Sequence, residues 1–325
     1  MPDRPPIDGS TRTVELLGDG PRTFFGVPSV ADLDALQAQV AFLGVPFDAG
    51  TPQPGNRTGQ RAGPAAARVA SWEQFDYDAA AGGSEGWYDI ESGRDHLVGV
   101  TMADVGDVLI QGADDERNFA RMTEAAHRIA RTGARLVAIG GDHTISFPLG
   151  RGIAALDQID VVHIDAHADF LDEVDGARLT GASQLRRLAE LPAVRSVTAL
   201  GLRNVARVEA EDMRALAVRW ATTQDLIERG PAVVRELVPE GGSLYVSVDL
   251  DVLDLALVPG TTLPEPGGLG YRELRSVLAA VAGRGRVLAL DIAELNPPYD
   301  PSGSTARLAT WLVTHVLSAI FDGRD

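Results

Sequence analysis

Residues 159–169 read Ile159-Asp-Val-Val-His-Ile-Asp-Ala-His-Ala-Asp169, an apolar β-branched run that opens into carboxylates and a histidine. A strand buried on both faces of a parallel sheet reads in this way. Period-2 alternation puts Val161, His163 and Asp165 on one face and Val162, Ile164 and Ala166 on the other. Where the strand gives way to a loop, Asp165, His167 and Asp169 can fan around a single point. The same grammar recurs twice: Leu136–Ile139 leads into Gly140-Gly-Asp-His143, and Leu244–Val248 leads into Asp249-Leu-Asp251. Open α/β sheets build their sites at the carboxyl ends of strands. His143, Asp165, His167, Asp169, Asp249 and Asp251 are therefore expected together at one edge of one sheet.

That donor set is rich in oxygen and free of thiols, which suits two hard or borderline divalent cations, Mn²⁺ first among them. Four carboxylates packed closely would repel one another strongly without cations. Two such cations acidify a shared water and offset charge in a transition state, so the constellation points to a binuclear metallohydrolase. A lone Asp-x-Asp at a strand end is more often a cap than a ligand. The conjunction of three motifs is what carries the reading. His163, inside its strand, is expected to be a core neighbour of the ligands rather than one of them.

The bulk properties agree with a large enzyme domain. The 325 residues are 45% hydrophobic, ample for a core, and α/β folds of this size often remain a single domain. A formal charge of −17 argues against nucleic acid and anionic membrane surfaces as partners. No cysteine is present, which is compatible with a reducing cytoplasm, the expected location. No segment reaches the apolar length needed to span a bilayer, and the Pro-rich, charged start has no apolar stretch of the signal-peptide kind.

Along the chain, 1–36 reads as an irregular N-terminal arm and 37–325 as one domain. Strands are expected at Val40–Val45, Leu136–Ile139, Ile159–Ile164, Val197–Leu202, Leu216–Trp220, Leu244–Val248 and Val287–Ile292. Helices are expected at Pro64–Trp72, Asn118–Arg131, Glu209–Ala215, Gln224–Glu228 or longer, Tyr271–Ala282 and Leu308–Phe321. Gly50–Arg61 and Ala79–Gly93 read as loops. This alternation is that of a mostly parallel sheet covered on both faces. No Gly-x-Gly-x-x-Gly joins a strand to a helix, which disfavours a dinucleotide-binding protein.

The motifs resemble the ureohydrolase family of arginase, agmatinase and their relatives, over roughly Val40 to Ile320. The resemblance rests on Phe42-Leu-Gly-Val-Pro-Phe-Asp-Ala-Gly50, Gly140–His143, Asp165–Asp169 and Ser247-Val-Asp-Leu-Asp-Val-Leu-Asp254. It continues through Pro259-Gly-Thr-Thr-Leu-Pro-Glu-Pro-Gly-Gly-Leu269 and Asp291-Ile-Ala-Glu-Leu-Asn-Pro297. It implies a three-layer α/β/α sandwich, a homo-oligomer (trimer or hexamer) and two Mn²⁺ per subunit, with Ni²⁺ or Co²⁺ as substitutes. One metal would be held by His143, Asp165, Asp169 and Asp249, the other by His167, Asp165, Asp249 and Asp251. Asp169 would also carry a proton from the attacking water to the departing amine. Glu294 matches the acid that grips the substrate's guanidinium.

One departure stands out. Where relatives usually carry a histidine shortly before an Arg-Arg pair, this chain has Gly181, in Thr180-Gly-Ala-Ser183 ahead of Arg186-Arg187. Glycine can supply neither proton transfer nor a side-chain contact. Phe170-Leu-Asp-Glu-Val-Asp175 lacks the asparagine of arginases, which disfavours arginine as substrate. Pro264–Leu269 looks like agmatinases and guanidino-acid hydrolases, whereas Asn296–Leu308 also resembles formimidoylglutamase. Agmatine would need an acidic outer pocket and a guanidino acid a cation. Asp172, Glu173 and Asp175 could line the mouth, as could Arg178, Arg186 and Arg203. The expected activity is an agmatinase-like amidinohydrolase acting on a small guanidino substrate, agmatine or a guanidino acid such as guanidinobutyrate, with release of urea. Formimidoyl hydrolysis releasing formamide, or a metal-binding protein with little catalysis, are the alternatives.

Overall fold

A computed structural model describes residues 22–50, 57–72, 74, 76–78, 83–112 and 114–322. In chain order the elements are β1 (Val40–Gly44), α1 (Gly63–Ser71), β2 (Asp76–Asp78), β3 (Gly83–Asp89), β4 (Arg94–His96) and β5 (Met102–Asp107). Next come α2 (Asp115–Arg131), β6 (Arg135–Ile139), α3 (Ser146–Ala154), β7 (Ile159–Ile164), α4 (Gln184–Ala189) and β8 (Val194–Leu202). They are followed by α5 (Arg207–Ala215), β9 (Arg219–Thr222), α6 (Thr223–Arg229), α7 (Pro231–Leu237) and β10 (Ser243–Asp249). The chain closes with α8 (Tyr271–Ala282), β11 (Arg286–Ala293) and α9 (Ser304–Phe321).

Among the described residues, eight strands form one sheet in the order β5-β1-β6-β11-β10-β7-β8-β9, and every pairing in it is parallel. The late strand β11 sits in the middle, hydrogen-bonded to β6 on one side and β10 on the other. Alternation along β7 sorts Val162 and Ile164 into one core and Val161 into the other. The first core is roofed by α1, α6, α7, α8 and α9, the second by α2, α3, α4 and α5. Two apolar layers sandwich the sheet: α/β/α. The long helix α2 shows why such segments form. Met122, Ala126 and Ile129 make its buried face, and Asp114 caps it by accepting from the Arg117 N–H.

The structure corrects the expected elements in several places. Part of Ala79–Gly93, read as a loop, is strand β3, paired antiparallel with β2 and β4; residues 79–82 lie outside the described set. Backbone pairing needs no apolar pattern, so this Gly- and acid-rich strand gave no periodic signal. The strand expected at Leu216–Trp220 begins only at Arg219. Leu216 to Val218 instead complete the turn after α5, with Ala217 in a left-handed conformation. Strand β5 and helices α3 and α4 were not anticipated. Helix α3 carries Pro148 and two glycines, poor helix formers that only tertiary packing stabilises. Within 22–36 the chain makes two short 3₁₀ turns and a single bridge from Ser29 to Asp104, and Phe24 and Phe25 are fully buried in the first core. Residues 1–21 and 51–56 of the stretches read as arm and loop lie outside the described residues.

Candidate active site

The central strands deliver the chemistry. Ile164 is level with Val248 and Asp249 with Ala293, so Asp165, Asp249 and Glu294 leave the sheet at nearly one height. After β6 the chain turns sharply through Gly140 and Gly141, both left-handed. A Cβ on Gly141 would lie 2.6 Å from the Val45 carbonyl oxygen, so glycine is required there. That turn sends His143 back over the strand ends. Its Nδ1 stands 2.9 Å from Asp165 Oδ2 and 3.1 Å from both Asp169 Oδ2 and Asp249 Oδ2. His167 Nδ1 lies 2.8 Å from Asp251 Oδ2 and 3.5 Å from Asp165 Oδ1. All six expected residues converge, with Asp165 common to both halves.

His163 is fully buried and stacks on His143 with ring centroids 5.0 Å apart. Its Nε2 is 3.2 Å from Asp165 Oδ2, so it could join one metal group by distance alone. Burial lowers it to about 4, against the pull of Asp165. A neutral ring packed flat on His143 fits a supporting neighbour as well as a ligand.

The electrostatics are those of a site short of positive charge. Burial opposes ionisation of Asp165, but His163, His143 and His167 outweigh it and hold its carboxyl well below the usual range. The other aspartates move the opposite way, each first through burial and then through neighbouring carboxylate charge. Asp249 is pushed well above the ordinary value, Asp251 to about 7 and Asp169 to about 6. His143 Nδ1 and Asp165 Oδ2 are buried and close, yet neither makes a hydrogen bond to any described residue. A cation between them would satisfy both atoms at once. The donors present fit a pair of divalent metals.

Beneath the site, His143 Nε2 is 2.8 Å from Ser247 Oγ, and Ser247 Oγ is 3.0 Å from Asp291 Oδ1. Asp291 is fully buried and also accepts from Ser146 and from the Tyr245 hydroxyl. This network holds the His143 ring with Nδ1 turned toward the aspartates. The Asp291 carboxyl is pushed up, first by burial. Ser247 and Asp291 lay within the quoted motifs without a role. A Ser two residues before the Asp-x-Asp, on the same strand face, was the available signal.

Glu294 forms the facing wall, buried and left-handed at φ 63°, a conformation that is costly for a glutamate. Its Oε1 accepts from the His143 N–H at 2.7 Å, and its Oε2 from Gln60 at 2.9 Å and from the Thr262 hydroxyl. Gln60 and Thr262 were missed because nothing in their sequence spacing separates a carboxylate's donors from ordinary loop residues. The cavity between Glu294 and the His/Asp floor measures 440 Å³. Glu209, Glu265, Gly181 and Leu263 are among its other walls.

The expected mouth residues are elsewhere. Asp172, Glu173 and Asp175 are exposed and do not line the cavity. Arg178 and Arg187 pair with Asp172, Arg186 with Asp212, and Arg203 donates to backbone carbonyls of 251–253 and 265–266.

The sequence profile of the Arginase family matches residues 38–318, a span that includes every element of the site. The chain belongs to the arginase family. The chain is 32% identical over 309 residues to guanidinobutyrase of Pseudomonas aeruginosa, covering 90% of this chain and 89% of that one. Human mitochondrial guanidino acid hydrolase is 30% identical over 290 residues, covering 86% and 78%. The solved structure of proclavaminate amidino hydrolase from Streptomyces clavuligerus superposes with a TM-score of 0.81 at 28% identity, covering 92% and 96%. The three-layer fold and the family reading therefore stand, and members of the arginase family are binuclear metal enzymes. No helix among the described residues is long and apolar enough to cross a membrane.

Proposed function

We propose that this chain is an amidinohydrolase that cleaves the linear C–N bond of a guanidino compound and releases urea. The observation that carries the reading is Glu294, a carboxylate on the cavity wall facing a buried His/Asp cluster in an arginase-family chain. Two Mn²⁺ would be held by His143, Asp165, Asp169 and Asp249, and by His167, Asp165, Asp249 and Asp251. When bound, they supply positive charge that acidifies a water and offsets the negative charge of the transition state. Glu294 accepts the guanidinium N–H groups and turns the guanidino carbon toward the cluster. The water oxygen bonds to that carbon, and the bond to the alkyl nitrogen breaks. Asp169 takes the water's proton and hands it to the leaving nitrogen. Residues 37–325 act as one domain, in a cytoplasmic homo-oligomer.

The relatives named for guanidinobutyrate and guanidino acids, and the agmatinase of Halalkalibacterium halodurans at 29% identity, support a small guanidine as substrate. The test is to incubate Mn²⁺-loaded protein with agmatine, guanidinobutyrate, guanidinopropionate, arginine and formimidoylglutamate, resolving products by mass. Urea from a guanidine is the expected result. Formamide from formimidoylglutamate alone would overturn it, as would silence from fully metal-loaded protein.

A further inference from the structure

We propose that Gly181 opens a side lobe of the cavity, and that the substrate is a guanidine bearing bulk close to its guanidino group and no anionic group. The proposal rests on the amidinohydrolase reading above and names its substrate class. Gly181 is buried and starts the 3₁₀ turn Gly181–Ser183, which packs against the turn His143–Ile145. Its backbone is outside the left-handed region, so conformation does not demand glycine. Nor does space: among the described residues, a Cβ built there would meet nothing closer than the Gly50 carbonyl oxygen, at 3.9 Å. A buried position that tolerates a side chain but lacks one leaves a recess beside the reacting centre. On the cavity wall beside it, Gly50 accepts from the Gly181 N–H, and Ala182 accepts from the Leu171 N–H, so this stretch of wall is small or apolar. An ordered water needs two to four polar partners, which such a wall supplies poorly. A hydrocarbon substituent of the substrate suits it better.

Charge narrows the class further. The chain contains no lysine, so apart from its histidines every side-chain cation is an arginine. No arginine lines the cavity among the described residues, and stretch 51–56 contains no basic residue. Arg203 is spent on backbone carbonyls, and Arg57 stacks over Tyr299 while reaching the Pro259 and Thr261 carbonyls. Glu209 and Glu265 line the outer wall instead, the latter held by Asn204 at 2.7 Å. A carboxylate tail would be desolvated against these acids with no arginine beside it among the described residues, whereas a neutral or cationic tail would not. This separates the chain from the guanidino-acid specificity in the names of its relatives.

The experiment compares N-benzylguanidine, agmatine and 4-guanidinobutyrate on the Mn²⁺-loaded full chain, with urea release and calorimetric binding both measured. The kcat/KM for N-benzylguanidine is expected to exceed that for 4-guanidinobutyrate at least tenfold. Gly181→Ala and Gly181→Leu should lower the benzylguanidine-to-agmatine ratio of kcat/KM progressively, by about tenfold for leucine, chiefly through KM. A preference for 4-guanidinobutyrate, or an unmoved ratio with metal content intact, would overturn the proposal. If no guanidine yields urea, the amidinohydrolase reading falls separately, and calorimetry decides the lobe. Benzylguanidine binding weakened by Gly181→Leu retains it, and equal binding removes it. Should the leucine variant fail to fold, the alanine variant carries the same comparison.

Discussion

The backbone N–H of His143 donates to Glu294 Oε1 at 2.7 Å, so the turn after β6 and the bend after β11 are locked to each other through the site. A floor histidine and the wall carboxylate therefore share one position. Replacing Glu294 with Gln keeps an acceptor for that N–H. It also removes the charge and sets an amide N–H₂ against a donor from Gln60 or Thr262. Turnover should fall about 100-fold, with metal content unchanged by elemental analysis. Loss of metal would instead place Glu294 among the ligands.

Asp251 faces His167 at 2.8 Å and its other oxygen accepts from the Ala166 N–H at 3.1 Å. Asp251→Asn offers a poorer ligand on one side of the centre only. Metal per subunit should drop from two toward one after exhaustive dialysis. Undiminished metal and activity would remove Asp251 from the ligand set.

Asp291 accepts from Ser146, Ser247 and Tyr245 in a fully buried layer. Asp291→Asn would turn an amide donor toward hydroxyl donors, at a cost of about 2 kcal/mol. The melting temperature of metal-free protein should fall by a few degrees, and Mn²⁺ affinity should weaken because His143 loses its fixed orientation. A variant with wild-type melting and metal affinity would show the network to be passive.

His315 is not among the residues lining the cavity; it is in ring contact with Trp87, Trp311 and Tyr271. Burial, and after it the charge of Arg275, lowers it to about 4 from an ordinary 6.5. Between those values the unfolded chain binds the proton and the folded chain does not. Its contribution is thus fully present above about 6.5, is lost as pH falls to about 4, and levels off below. The melting temperature of His315→Gln should lose less than wild type across that window. Parallel curves for the two proteins would refute this.

The legible part of the site was the part written in local pattern. Each ligand group follows a strand whose apolar run announces itself, and the end of such a strand fixes where Asp165 or Asp249 must point. Glu294 came only through resemblance, since a glutamate after Ile292-Ala293 has no distinctive spacing. Gln60, Thr262, Glu209 and Glu265 were not assigned roles because their positions depend on how loops from distant parts of the chain close over the strand ends. The fold shows the same division. Helices with an apolar stripe, such as α2 and α8, were readable, whereas α3, with Pro148 and its glycines, is held by what surrounds it.

The place of β11 has a consequence for how the chain acquires its site. Hydrogen bonding among the described strands divides without it into two sheets, β5-β1-β6 and β10-β7-β8-β9, and β11 is the piece that joins them. His143 follows the first; Asp165, His167, Asp169, Asp249 and Asp251 follow the second. Residues 286–293 follow the other seven strands of this sheet in sequence, and without β11 those strands pair only as two separate open-edged groups. Insertion of the keystone strand closes the sheet, brings His143 to the aspartates and carries in Glu294, all in one event. Full metal capture is thus a report that β11 has taken its place between β6 and β10.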